Sequence, residues 1–398
     1  MYIAPIGLKI SNKMKVLFCS PYLQEEGIHK GGINIWANNI LKYYQSLNND
    51  QIEITPISFD RKHFINASTG VLKRAYLGVK ELSIAVADAK RELKRQHYDV
   101  VHICTSASMS LMKDLKLLRL AKRYGAKSVI HLHFGRTPEL VNCNNWEWKL
   151  LKKVIQKADT VVSMDMYTYK ALCKLNYNNV HYCPNPLSQA IMEQIDTEKG
   201  LIERKRNKLL FVGHVLPTKG VYELVEACKR IEDIELHIVG KAEPQILVDL
   251  HTKAYEHNGG RWLHLRGELS HEDVLRELMS ATMFVFPSYT EGFPNVILEA
   301  MACKCPIVSS NVGAIPVMLD VDNDPCGICY SPQRVEDVYN AVNTLLNNCY
   351  LREEYANKAY KRVCREYAIQ EVWGKLETIW KRVYGYETIK ANQTQSSC

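Results

Sequence analysis

Short apolar runs alternate along this chain with longer stretches in which apolar residues recur every three to four positions. In the first half the short runs fall at 15–20, 51–58, 99–103, 128–133 and 159–163. The amphipathic stretches between them are 33–47, 72–96, 108–124, 146–157 and 166–175. The short runs are rich in β-branched residues and apolar on both faces, which is the pattern of parallel strands buried between helices. Strict alternation of the two patterns predicts βα units and an α/β, doubly wound sheet.

A break follows at 183–207. It holds Cys183-Pro184-Asn185-Pro186-Leu187 and a charged run from Glu198 to Lys208. The two prolines argue against a helix there and mark a connection. The pattern restarts at Lys208, with strands expected at 208–213, 235–239, 262–266, 283–286 and 305–309. Helices are expected at 221–231, 271–280 and 295–303, and throughout 333–386. The predicted organisation is therefore a Rossmann-like domain over 1–190, with 1–13 a tail, and a linker over 191–207. A second Rossmann-like domain spans 208–370, followed by a terminal helix at 371–388 and a tail at 389–398. Nucleotides bind at the carboxyl ends of such strands.

Composition narrows the class without naming the function. The 398 residues carry 51 Lys+Arg against 43 Asp+Glu, a net charge of +8, with 46% hydrophobic and 24% charged residues. These values exclude a disordered chain, a collagen-like chain and a disulfide mini-protein. The charge suits an anionic partner. A nucleic-acid partner is not expected, because no helix-turn-helix, zinc-finger or aromatic RNA-binding pattern accompanies it. No run reaches the roughly 18 apolar residues of a membrane span. The start is broken by Pro5 and Gly7 and does not read as a signal peptide. The thirteen cysteines are an odd number spread along the chain, and read as reduced thiols of a cytoplasmic protein. The pairs Cys303/Cys305 and Cys326/Cys329 have a zinc-like spacing, but small buried thiols explain them better, and no metal is expected.

The segment 286–316 is the richest in candidate chemistry. A strand ends at Pro287, a loop carries Glu291, Gly292, Phe293 and Pro294, and a helix begins near Asn295 and contains Glu299. The unpaired amides of Asn295 and Val296 at that helix start would attract an anion. Glu291 and Glu299 either serve the helix, as a cap and a solvated residue, or accept hydrogen bonds from the hydroxyls of a sugar and a ribose. Lys219 stands in a loop after the strand at 208–213, where it either caps a turn or neutralises phosphate. The histidines of His131-Leu-His133 share one strand face, and are either core residues or ligand contacts. Lys30-Gly-Gly32 precedes a helix, as a turn or as a backbone approach to phosphate. Lys113, Lys116, Arg119 and Arg123 of helix 108–124 form a basic face that is either solvated or lies on anionic lipid.

The stretch Glu291-Gly-Phe-Pro-Asn-Val-Ile-Leu-Glu299, running into Asn311-Val-Gly-Ala-Ile-Pro316, closely resembles the Glu-x7-Glu signature of retaining glycosyltransferases of family 4. That resemblance implies the GT-B fold: two Rossmann-like domains facing across a cleft, with the last helix crossing back to the first. It implies a nucleotide-diphosphate sugar as donor, no further cofactor, and a glycan or lipid-linked glycan as acceptor bound by the first domain. It assigns catalytic roles to Glu291, His133 and Lys219. Donor binding falls to Gly32, His214, Lys219, Gly267, Glu291, Gly292, Phe293, Asn295, Val296 and Glu299. His214 departs from the family pattern, which has an arginine there, so its charge at neutral pH is conditional. The departure keeps alive an inactive sugar-nucleotide-binding protein, and the fold alone also admits an epimerase. By base rate within the family the donor is a UDP-sugar. Surface-polysaccharide synthesis at the inner face of the plasma membrane is the expected setting.

Overall fold

The structure is a computed structural model and describes residues 13–22, 32–59, 71–321 and 323–385. The expected tails at 1–13 (Lys13 excepted) and 389–398, and the loop residues Lys30 and Gly31, lie outside the described residues. Two compact units are formed. One comprises Met1–Ser163, Leu172–Cys183 and Trp373–Cys398, the other Met164–Ala171 and Pro184–Val372.

The first unit is built on six parallel strands: β1 (Met14–Ser20), β2 (Ile52–Ser58), β3 (Val100–Thr105), β4 (Lys127–Leu132), β5 (Thr160–Ser163) and β6 (Val180–Tyr182). Their order is β2-β1-β3-β4-β5-β6. Helices α1 (Gly32–Ser46), α2 (Val71–Arg95), α3 (Ser110–Arg123), α4 (Thr137–Cys143), α5 (Trp146–Lys157) and α6 (Met166–Lys174) connect them, α6 belonging to the second unit as far as Ala171. β3 and β4 are buried at nearly every position, as the two-faced apolar pattern requires. Trp36 of α1 seals one face, stacked on Phe18 of β1 at 5.8 Å.

The second unit repeats the plan. After α7 (Gln189–Glu198) come β7 (Lys208–Val212), α8 (Val221–Cys228), β8 (Glu235–Val239), α9 (Pro244–Tyr255), β9 (Leu263–Gly267), α10 (His271–Ser280), β10 (Met283–Phe286), α11 (Asn295–Ala302) and β11 (Ile307–Ser310). Its sheet is also six-stranded. An edge strand at Ile328–Tyr330 is followed in order by β11-β10-β7-β8-β9. Helices α12 (Ile315–Leu319), α13 (Val335–Leu346), α14 (Cys349–Arg362) and α15 (Ile369–Tyr384) complete the chain. From Trp373 onward α15 belongs to the first unit, where the indole N–H of Trp380 donates to Nδ1 of His102 at 3.1 Å.

The connection corrects one expectation. The proline pair does stand outside helical structure, but residues 189–198 form a helix. Ser188 caps it, its Oγ accepting from the Ile191 amide. Prolines restrict only themselves and the residue before them, so their reach ends at Pro186. The cysteines at 303, 305 and 326 are buried thiols, each facing a backbone carbonyl at 3.8–3.9 Å. Burial pushes all three upward in pKa, which keeps them protonated.

Candidate functional site

In the second unit, glycines let three strand ends close on one another. The Gly213 amide donates to Val239 at the end of β8, and the Gly240 amide donates to Gly267 at the end of β9. A Cβ on Gly240 would stand 1.8 Å from the Gly213 carbonyl oxygen, so no side chain fits there. Beyond Gly213, His214 is exposed. Gly267 sits at φ +70° with open space over its α-carbon.

The chain then turns through a short 3-10 segment, Pro217–Lys219, and enters α8 by way of Gly220 at φ +70°. A Cβ at Gly220 would lie 2.2 Å from the Pro287 carbonyl oxygen. That close approach brings the Lys219 loop against the end of β10, and the Tyr289 amide donates to the Thr218 carbonyl at 2.9 Å. The Lys219 ammonium meets the Glu291 carboxylate in an ion pair, with the two side chains only 24% and 12% exposed. Glu291 is therefore not a solvated loop residue, and it does not cap α11.

The Glu291–Pro294 loop is fixed from behind. A Cβ on Gly313 would fall 2.2 Å from the Glu291 carbonyl oxygen, and the Ala314 amide donates to the Gly292 carbonyl at 2.9 Å. Phe293 is buried, 6.0 Å from the Tyr367 ring. Pro294 is the N-cap of α11 and no side chain caps that start. The first amides, on Asn295 and Val296, follow directly, on residues that are partly exposed. One turn on, Glu299 is 12% exposed and its Oε1 lies 3.0 Å from His271 Nε2. The structure thus brings Lys219, Glu291, Gly292, Phe293, Asn295, Val296 and Glu299 onto one loop–helix junction at the carboxyl end of the second sheet.

Two polar neighbours were not anticipated. Asn185, from the proline-rich connection, donates to Asn295 Oδ1 at 3.3 Å, and its own Oδ1 is buried without a partner. An asparagine between two prolines reads as a turn residue, and the sequence holds no signal that it reaches α11. His271 lies at the start of α10, where it looks like an ordinary first-turn residue.

In the first unit, His133 follows β4 and is 9% exposed. Its ring lies 4.1 Å from His131 and 4.5 Å from Trp36. Burial pulls His133 and His102 down to about 3, so both rings are neutral near pH 7. His131 is lowered by burial too. Gly32, the first described residue after the glycine loop, is an exposed start of α1. Just beyond β3, Ala107 and Ser108 both take positive φ, 67° and 54°, which is uncommon for residues with a Cβ. Glu147, buried in α5, holds that turn. Its Oε1 accepts from the Ser108 amide at 2.7 Å and from Arg136 Nη2 at 2.6 Å, and its Oε2 accepts from Arg136 Nη1 at 2.8 Å. These bonds, Arg136 foremost, keep the Glu147 carboxyl below its ordinary range.

The basic face of α3 is also corrected. Lys113 is 5% exposed, with its ammonium 2.5 Å from the buried Asp114 carboxylate and 4.5 Å above the Phe59 ring. It is a core ion pair and cannot meet a surface. Lys116, Arg119 and Arg123 are exposed, together with Met109 and Met112 at 54% and 49%. No helix among the described residues is long and apolar enough to cross a membrane.

Comparison with known proteins bears on the family and the fold. Residues 192–362 match the family described as glycosyl transferases group 1, and residues 30–189 match glycosyltransferase family 4. The capsular polysaccharide biosynthesis glycosyltransferase CapM of Staphylococcus aureus is 27% identical over 199 residues. That match spans 47% of this chain and only 50% of CapM. An uncharacterized glycosyltransferase of Methanocaldococcus jannaschii is 23% identical over 378 residues, spanning 93% of this chain and 98% of the relative. Among solved structures, Anabaena HepE in complex with UDP superposes with a TM-score of 0.64 at 15% identity, covering 92% of this chain and 99% of HepE. Two parallel six-stranded sheets, a Glu-x7-Glu junction at the end of the second, and matches over both halves lead to one conclusion: the chain belongs to the group 1 glycosyltransferases of the family 4 type, sugar-transferring enzymes of GT-B fold.

Proposed function

We propose that this enzyme moves a sugar from a UDP-sugar to a glycan or lipid-linked glycan acceptor, with retention of the anomeric configuration, in surface-polysaccharide synthesis. The observation that carries the donor reading is the Lys219–Glu291 pair set beside the uncapped start of α11. As the glycosidic bond breaks, charge develops on the leaving diphosphate. Lys219, His214 and the first amides of α11 stabilise it electrostatically. Glu291 holds the sugar hydroxyls and Glu299 the ribose, with Gly267 offering backbone to the base. His133 contributes a neutral hydrogen-bonding ring. The departing phosphate takes the acceptor proton, so no separate general base is assigned. HepE, solved with UDP, and CapM, named for capsular polysaccharide, support the choice of base and pathway class.

A thermal-shift panel of UDP, GDP, ADP and CMP tests the donor. UDP is expected to raise the unfolding midpoint most, since a ligand at a hundredfold excess over its Kd adds about 2.7 kcal/mol. Lys219→Ala is expected to abolish the shift. A shift that persists in that variant would remove Lys219 from the site.

For the acceptor side, the exposed face of α3 supports docking at an anionic lipid surface on the cytoplasmic side. Methionines at 109 and 112 flank Lys116, Arg119 and Arg123, and the only acidic residue of the helix, Asp114, is buried. The protein is expected to float with phosphatidylserine vesicles at low salt. Lys116→Glu/Arg119→Glu/Arg123→Glu is expected to sediment free of them; equal flotation of the two proteins would place the acceptor contact elsewhere.

A further inference from the structure

At the amino ends of β8 and β9 lies a cluster that sugar transfer does not use. Glu235 and His237 are two apart on β8 and so share a sheet face. His264 of β9 pairs directly with His237 in parallel register and joins them on that face. The two imidazole centroids are 4.7 Å apart. One ligand atom from each of Glu235, His237 and His264 lies within 4.8 Å of the other two. His237 Nε2 stands 3.4 Å from the Glu235 carboxylate. That is close to the edge of a tetrahedron whose corners sit about 2.1 Å from a central zinc ion, roughly 3.4 Å.

The surroundings favour an ion. His264 Nε2 is buried with no hydrogen-bond partner, a state that native folds rarely leave uncompensated. His237 Nδ1 lies 3.5 Å from Glu277 of α10 without a formed hydrogen bond, in the place from which a carboxylate behind the ring orients metal-binding imidazoles. Of the cations nearby, Lys205 acts on His264 from a distance, while Lys208 and Arg266 face Glu277. Glu277 takes Lys208 at 2.7 Å and Arg266 at 3.7 Å, leaving the Glu235 carboxylate, 56% exposed, open to solvent.

We propose that Glu235, His237 and His264 bind one divalent transition-metal ion of the zinc class, with Glu277 behind His237 and water in the fourth position. Two imidazoles and a single carboxylate select zinc, cobalt or nickel over magnesium and calcium. His264 lies three residues before Gly267, about 10 Å along the strand. The ion therefore ties β8 to β9 at the edge opposite the proposed donor site and takes no part in neutralising the diphosphate.

The test uses the full chain, stripped with chelator and dialysed against Zn²⁺ or Co²⁺. One ion per chain is expected. Glu235→Gln and His264→Gln are each expected to weaken binding at least tenfold, with unchanged far-UV circular dichroism and an undiminished UDP thermal shift. Bound Co²⁺ is expected to show visible d–d bands without a thiolate charge-transfer band. Binding that neither substitution weakens, a thiolate band from the cysteines, or no ion retained would each overturn the proposal.

Discussion

Glu291→Gln is expected to lower transfer by about 10²–10³-fold in turnover, the usual loss when a group that binds more tightly in the transition state is removed, while affinity for free UDP does not fall. The split follows from the pairing of Glu291 with Lys219. Both side chains are mostly buried, so each holds its charge with little help from water. An arriving diphosphate must compete with the Glu291 carboxylate for the Lys219 ammonium. Replacing the carboxylate by an amide of the same shape removes that competitor, and the lysine is left to the phosphate. Free UDP lacks the transferred sugar whose hydroxyls Glu291 holds, and its ribose falls to Glu299, so its binding loses nothing. The transferring sugar does lose its acceptor of hydrogen bonds, and turnover drops. Lys219→Ala behaves differently, losing UDP affinity and turnover together. Steady-state rates alongside calorimetric UDP binding separate the two cases. If Glu291→Gln weakened UDP and transfer by equal factors, Glu291 would be a nucleotide contact and its assignment to the sugar would fail.

Much of this architecture is written in local patterning. Strands at 235–239 and 283–286 and helices at 146–157 and 271–280 lie where the periodicity puts them, because each carries an unbroken two-faced or one-faced apolar pattern. What the pattern leaves out is short or ambiguous. β6 has three residues and offers too little period to see. α9 opens on Pro244, which punctuates a sequence reading yet is well tolerated in a helix's first turn. The candidate site divides in the same way. Glu291, Glu299 and Lys219 were identifiable by motif, and their meeting rests on Gly220 and Gly313, whose missing side chains let loops from distant parts of the chain touch. Lys113 shows the opposite failure. Helical spacing places it beside Lys116 on one arc, but the side chain turns inward to Asp114 and Phe59, partners that no count of charges reveals.

Stability of the first unit is expected to fall steeply as pH drops from 7 to 5. His102, His131 and His133 stand together beneath Trp36, at 0%, 0% and 9% exposure. Trp380 donates to His102 Nδ1, so that ring is neutral with its proton on Nε2; adding a second proton would set N–H against N–H. Burial is the leading cause that holds His102 and His133 at about 3 and lowers His131 as well. In the unfolded chain each returns to about 6.5. Between those values the unfolded state binds more protons than the folded one, so stability rises with pH. The contribution is complete above about pH 6.5 and is lost progressively as the pH falls toward 3. Each histidine contributes a limiting slope of about 1.4 kcal/mol per pH unit, or roughly 4 for the three together. Trp36, Trp146, Trp148, Trp373 and Trp380 all belong to this unit and only Trp262 to the other, so tryptophan fluorescence reports it during urea unfolding. The urea midpoint is expected to be level from pH 8 to 7 and to drop between 6 and 5. His133→Asn, which keeps a polar group at the 9% exposed position, is expected to remove about a third of that slope. A midpoint unchanged down to pH 5 would mean that these rings take up protons in place. The neutral hydrogen-bonding role proposed for His133 would then fail with it.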